Sequence, residues 1–268
     1  FFHGIVQAYR APAGFLLWDR GSRVHVPLDG TAIVAELLPP AQEPAPGCTA
    51  AMLQIALALG LRPFQLFHTH AAALVHPSGR GVLVAGGSGA GKTTTTLALL
   101  EAGYGYLGDD ALFLRRPAGE REGLEALAFP REFHLGRATL EAFPRLAALV
   151  GAAPARSEKR PLDARLAYPG KARDRLRFTP GSIELLFPSI GDAAETSIAP
   201  VAKAEAFGLL LSSSAAVVIE GMPGRDENLA LLRALVDGGR CREIVLGRDA
   251  LRDPVGAIGA RFEAAISG

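Results

Sequence analysis

The chain has only two cysteines among 268 residues, Cys48 and Cys241, far apart and without metal-ligand spacing. That rules out a disulfide framework and a cysteine zinc site, and makes a reducing cytoplasm the expected setting. Long apolar runs are also missing. The longest, Ala50–Leu61 (AAMLQIALALGL), is too short to span a bilayer and contains Gln54. No signal peptide or transmembrane helix is read, and no membrane partner is expected. Neither charge is in surplus: 28 Lys and Arg against 27 Asp and Glu leave a net +1. The chain as a whole therefore gives nucleic acid no electrostatic footing. The one basic concentration is Arg156–Arg177, with eight Lys and Arg, Tyr168 within it and Phe178 just after. It is proline-bearing and poorly periodic, and fits an ordered lid, a substrate loop or a solvated segment.

What is present is a globular composition, 49% hydrophobic, enough for a sizeable core in one large domain or two small ones. Residues 1–47 read as a β-rich segment and linker. Short apolar runs broken by Gly, Pro and Asp predict a small antiparallel meander, and Pro39–Gly47 (PPAQEPAPG) is a linker by composition. Residues 48–268 read as an α/β domain. Cys48–Leu61 predicts a buried helix against the nucleotide core. HAAALVHP, the turn SGRG and VLVAG then predict two strands, and Thr93–Ala102 a helix capped by Gly103. YGYL returns as a strand into Asp109 and Asp110, with ALFLRR as its neighbour. Arg115–Glu125 reads as an exposed loop, and Arg137–Gly151 as helical with a break at Pro144. SIELLFPSI and AAVVIEGM predict later strands, and DENLALLRALVDGG and the tail predict helices.

The strongest motif is Gly86-Gly87-Ser88-Gly89-Ala90-Gly91-Lys92-Thr93, a G-x-x-x-x-G-K-[ST] run set between a predicted strand and a predicted helix. Glycines let backbone N–H groups turn inward around phosphate oxygens, and the helix N-terminus adds partial positive charge. ATP is the expected ligand, held by Gly86 to Thr93 and into Thr94. Lys92 reaches the outer phosphates and the Thr93 hydroxyl faces Mg²⁺.

Asp109 lies 17 positions after Lys92, room for one helix and one short strand. Two adjacent acids at a strand end suit a division of labour in which one holds Mg²⁺ and the other takes a proton from an attacking hydroxyl. Neighbouring side chains on a regular strand face opposite ways, so both can serve only where the strand bends or ends.

GGSGAGKTTTT followed by YLGDD resembles the HPr kinase/phosphorylase family and its smaller kinase relatives, whose P-loop core is shared with phosphoenolpyruvate carboxykinase. The likeness covers about His70 to Leu114. It implies a P-loop core with a mixed sheet, Asp109 as catalytic acid/base, Asp110 on the Mg²⁺ side, and His70 as the histidine close to the catalytic aspartate. His68 and His76 are left as packing or surface residues. PREFHLG (130–136) occupies the region of the family's later signature, with Glu132 as a metal contact and Arg131 as a phosphate contact. The first 65 or so residues do not look like the N-terminal domain of HPr kinases, so HPr is not the implied substrate. Smaller members phosphorylate lasso-peptide precursors or free serine. The expected activity is thus transfer of the γ-phosphate of ATP to a hydroxyl of a peptide or small molecule. A nucleotide-binding ATPase or sensor module with no acceptor is the competing reading, and a homo-oligomer is compatible with either.

Overall fold

The computed structural model describes residues 6–39, 42, 48–120, 123–129, 132–152, 159–179, 181–214 and 222–267. The chain opens with the expected meander, β1 (Gln7–Ala11), β2 (Gly14–Asp19), β3 (Ser22–Pro27) and β4 (Val34–Glu36), antiparallel and in sequence order. Its alternation is clean: Phe15, Leu17, Val24 and Val26 are buried while Leu16 and Trp18 are exposed. Helix α1 (Cys48–Gly60) covers the buried face, packing Met52, Ile55 and Leu59 on those four residues. This corrects the expectation that the helix lies on the nucleotide core. Its apolar content requires burial, but local sequence does not say against which sheet.

The central sheet has six strands in the order β15-β16-β14-β7-β6-β8. These are β6 (Ala71–Val75), β7 (Gly81–Ala85), β8 (Gly105–Gly108), β14 (Ile183–Ile190), β15 (Ser197–Pro200) and β16 (Arg240–Leu246). β7, β14 and β16 run parallel, and β6 and β15 run against their neighbours. Both faces are buried, so β7 reads as an uninterrupted apolar run. Val82 and Val84 face a core with Leu97 and Leu100 of α2 (Lys92–Glu101) and Phe262 of α7 (Arg261–Ser267). Leu83 and Ala85 face the opposite core, with Leu210 of α5 (Lys203–Ser212) and Leu232 and Leu235 of α6 (Arg225–Gly238). α2 ends as its sequence predicts. Gly103 has φ +106°, its N–H donates to the Leu100 carbonyl, and the Tyr104 N–H donates to the Leu99 carbonyl, both at 3.1 Å.

A second, antiparallel sheet of order β13-β10-β9-β5 packs on the same side as α5 and α6. It comprises β5 (Phe67–Thr69), β9 (Leu112–Arg115), β10 (Leu124–Ala128) and β13 (Arg175–Phe178). β9 is therefore not a neighbour of β8 as ALFLRR predicted. Asp110 has φ +59°, and this left-handed residue turns the chain out of one sheet into the other. The remaining elements are the pair β11 (Phe133–Leu135) and β12 (Arg160–Leu162), and the short helices α3 (Arg137–Ala142) and α4 (Ala164–Ala167). A 3₁₀ turn at Pro144–Ala148 follows α3, as the proline requires. The expected strand AAVVIEGM falls at 215–222 and lies, Met222 apart, outside the described residues. No helix among those described is long and apolar enough to cross a membrane.

Glu125, predicted in an exposed loop, instead sits on β10 and is fully buried. It accepts from Arg115 Nε at 2.7 Å and from Arg177 Nε at 3.1 Å. Burial pushes its carboxyl upward, but the hydrogen bonds and charge of the two arginines outweigh that and hold it below the ordinary 4.5. A carboxyl lowered by folding adds stability above its unfolded value and loses it as pH falls through the folded one. Glu125→Gln should cost about 1–2 kcal/mol at neutral pH, since both arginines still meet water. Denaturant titrations at neutral pH and at about pH 3 check this, because the difference from wild type should shrink in acid once Glu125 itself is protonated.

Candidate functional site

The strand register alone gathers the predicted residues at one edge. β6 lies between β7 and β8, with Ala71 opposite Ala85 and Ala73 opposite Gly108. His70, which precedes Ala71, therefore meets the start of the glycine loop that follows Ala85. Two residues beyond Gly108 bring Asp110 to the same level. The parallel strands β14 and β16 end at this edge too, Ile190 paired with Leu246. Ligands of open α/β sheets bind outside such strand ends.

The loop from Gly86 to Gly91 turns through Gly89 (φ +79°) and Gly91 (φ +98°), conformations that only glycine adopts at little cost. α2 starts directly after it, and Thr95 N–H donates to the Gly91 carbonyl at 2.9 Å. Lys92 is nearly buried and curls back over the loop, its Nζ donating to the Gly87 carbonyl at 3.1 Å. Lys92 Nζ also lies 3.5 Å from Asp110 Oδ1. An ammonium held over a glycine loop at the start of a helix suits the outer phosphates of a nucleotide.

The two acids diverge because β8 ends before them and Asp110 is left-handed. Asp109 is 3% exposed and accepts from the Thr93 hydroxyl at the long distance of 3.5 Å. Asp110 has a side chain 40% exposed to the cleft, 3.5 Å from His70 Nε2 as well as from Lys92. The His70 ring is fixed through Nδ1, 2.9 Å from the Asp110 carbonyl oxygen. With Nδ1 donating there, Nε2 bonds the Asp110 carboxylate only when the ring is doubly protonated. His70 was expected close to the catalytic aspartate, and a carboxylate oxygen of the second acid, Asp110, lies 3.5 Å from its Nε2.

These residues line a cleft of about 650 Å³. Ser88, Gly89, Gly91, Lys92, Thr93, Thr94, His70 and Asp110 form its loop side. Lys159 also lines it, from the basic stretch read as a lid or substrate loop, while sequence reasoning missed His134 and Thr139 on the same wall and Ile190, Gly191, Gly247, Arg248 and Leu251 beyond. Gly191 and Gly247 directly follow parallel strands, and that was the one available signal. Glu132 does not join the cleft. It lines a separate space of about 250 Å³ with Tyr106, Asp163 and Arg165, while His134 lines the cleft. Arg131 lies outside the described residues, as do 156–158 of the basic stretch.

A Mg²⁺ site fits in a limited sense. No group of three His, Cys, Asp or Glu able to hold a metal occurs among the described residues. Mg²⁺ in nucleotide sites needs only one or two protein oxygens, with phosphates and water supplying the others. The Thr93 hydroxyl and the Asp109 carboxylate, 3.5 Å apart beside the N-terminus of α2, are oxygens that would suit that role.

No known protein family matches the sequence, and no curated protein matches it. Among solved structures, the chain is similar to the Hpr(Ser) kinase/phosphatase from Coxiella burnetii at 11% identity. That match covers 75% of this chain and 99% of the other, with a TM-score of 0.36. At so low a score the local geometry, not the likeness, carries the functional reading.

Proposed function

We propose that the chain is an ATP-dependent kinase that transfers the γ-phosphate to a hydroxyl acceptor, a serine of a peptide or a small hydroxyl compound such as free serine. One observation supports this above all: a cleft-facing carboxylate, Asp110, stands 3.5 Å from the phosphate-loop lysine and from a histidine. A module that only bound nucleotide would need no such base.

The geometry favours exchanging the roles first expected of the two acids. Asp110 opens to the cleft, where an acceptor hydroxyl would approach, and adjoins the lysine that would hold the outer phosphate. It is the better general base. Asp109, buried beside Thr93, is the better partner for the metal side. Mg²⁺, when bound with the triphosphate, neutralises phosphate charge. Lys92 leaves the Gly87 carbonyl to meet the outer phosphate, Asp110 accepts the acceptor's proton, and His70 orients Asp110. Lys159 and His134 on the facing wall suit an acceptor with an anionic group close to its hydroxyl. The expected result is a mass gain of one phosphate on peptides from neighbouring genes or on free serine after incubation with Mg-ATP. Full-rate ATP hydrolysis with phosphate on no acceptor would leave an ATPase module instead.

A further inference from the structure

The far end of the cleft, away from Asp110, has a chemistry of its own. β14 and β16 stop side by side there, and the cleft wall carries Ile190, 70% exposed, and Leu251, 54% exposed. Two large aliphatic side chains held open on a concave wall mark a surface that a flat apolar group can cover. The wall is continuous with the phosphate loop. A Cβ placed on Gly91 would overlap Leu246 and come within 3.9 Å of Ile190 Cγ1. A triphosphate laid along the loop with its outer phosphate at Lys92 would carry its nucleoside into this end.

The backbone here is already engaged. Gly191 N–H donates to the Leu246 carbonyl at 3.0 Å, Gly247 N–H to Thr196 Oγ1 at 3.1 Å, and Arg248 N–H to the Ala193 carbonyl at 3.0 Å. Ala250 N–H donates to the Gly247 carbonyl at 3.2 Å. Asp249 fixes the segment by accepting from Thr196 N–H at 2.8 Å and from its hydroxyl at 2.7 Å. Adenine N1 and guanine O6 each need a donor, and none of these amides is available to supply it. The polar side chain on this stretch of wall is Arg248. Its guanidinium can donate to purine N7, an acceptor common to both bases, and to guanine O6 as well, so it cannot favour adenine over guanine.

We infer that Ile190 and Leu251 form a purine slot that grips the base of the bound triphosphate without selecting adenine, so that GTP serves at least as well as ATP. Strong selection for adenine requires a polar group that guanine leaves unpaired, and among the described residues the slot has none placed to do so. The inference rests on the kinase reading above and is tested separately from it. Calorimetry on the full chain compares Mg-ATP, Mg-GTP and Mg-tripolyphosphate, which has no base. GTP should bind at least as tightly as ATP, to within about three-fold. The double variant Ile190→Ala/Leu251→Ala should weaken both about ten-fold or more and leave tripolyphosphate unchanged, which also shows that the variant is folded. A preference for ATP over GTP above about thirty-fold overturns the slot. So does a double variant that binds ATP like wild type, or wild type that binds tripolyphosphate as tightly as ATP. If wild type binds none of the three, the phosphate-loop reading falls with it.

Discussion

Replacing Lys92 with alanine should reduce phosphoryl transfer by about 10³-fold or more, the largest loss of any single substitution in the cleft. The ammonium is nearly buried and aimed over the glycine loop, 3.1 Å from the Gly87 carbonyl. In a water-poor cleft a full positive charge on the outer phosphate counts for far more than in solution. Lys92→Met is the control, since it keeps the apolar stem that packs at the start of α2 and loses only the charge. Both variants should fold, because each gives up no more than a hydrogen bond to the Gly87 carbonyl and a long ion pair with Asp110. Both should bind Mg-ATP more weakly and transfer no measurable phosphate. Turnover in Lys92→Met comparable to wild type would sink the phosphate-loop assignment.

How much of this was legible in the sequence follows from the range of the forces involved. The run from β7 through the loop and α2 to β8 was readable because every element in it is locally specified. An apolar strand, glycines needed for positive φ, an uninterrupted helix and a capping Gly103 follow one another directly. The N-terminal meander was readable for the same reason, its apolar positions alternating between turns. What failed was pairing at a distance. α1 is apolar throughout, which demands burial but fits either core. The step that takes β9 into the second sheet depends on one left-handed residue, Asp110, a type that tolerates φ > 0 but does not announce it. Glu125 looked like a loop charge because its two arginine partners are supplied by neighbouring strands, one of them 52 residues away. The basic stretch resolves into β12, α4 and β13, short elements fixed by partners that local periodicity cannot reveal. The far wall of the cleft is built from strand ends and one short turn, with no motif to give it away.

The second large effect separates the two acids. Asp110→Asn keeps the size of the side chain, and its contacts with Lys92 and His70 are long enough to survive the change. Asparagine cannot take a proton, so transfer should fall by about 10²–10⁴-fold, typical for loss of a general base. Binding of Mg-ATP should change little, because in the empty site Asp110 competes with phosphate for Lys92. The acid limb of the pH–rate profile, which reports protonation of the base, should vanish with it. Asp109→Asn should behave differently. Its carboxylate is buried against the Thr93 hydroxyl, so the change should appear mainly as a raised Mg²⁺ requirement, with much of the rate recovered at high Mg²⁺. His70→Gln gives a third reading, because a group that only orients Asp110 should alter the position of the acid limb without abolishing it. If instead Asp109→Asn loses transfer at every Mg²⁺ concentration while Asp110→Asn is rescued by metal, the roles revert to those the sequence resemblance implied, and the left-handed turn at Asp110 serves only to carry the chain into the second sheet.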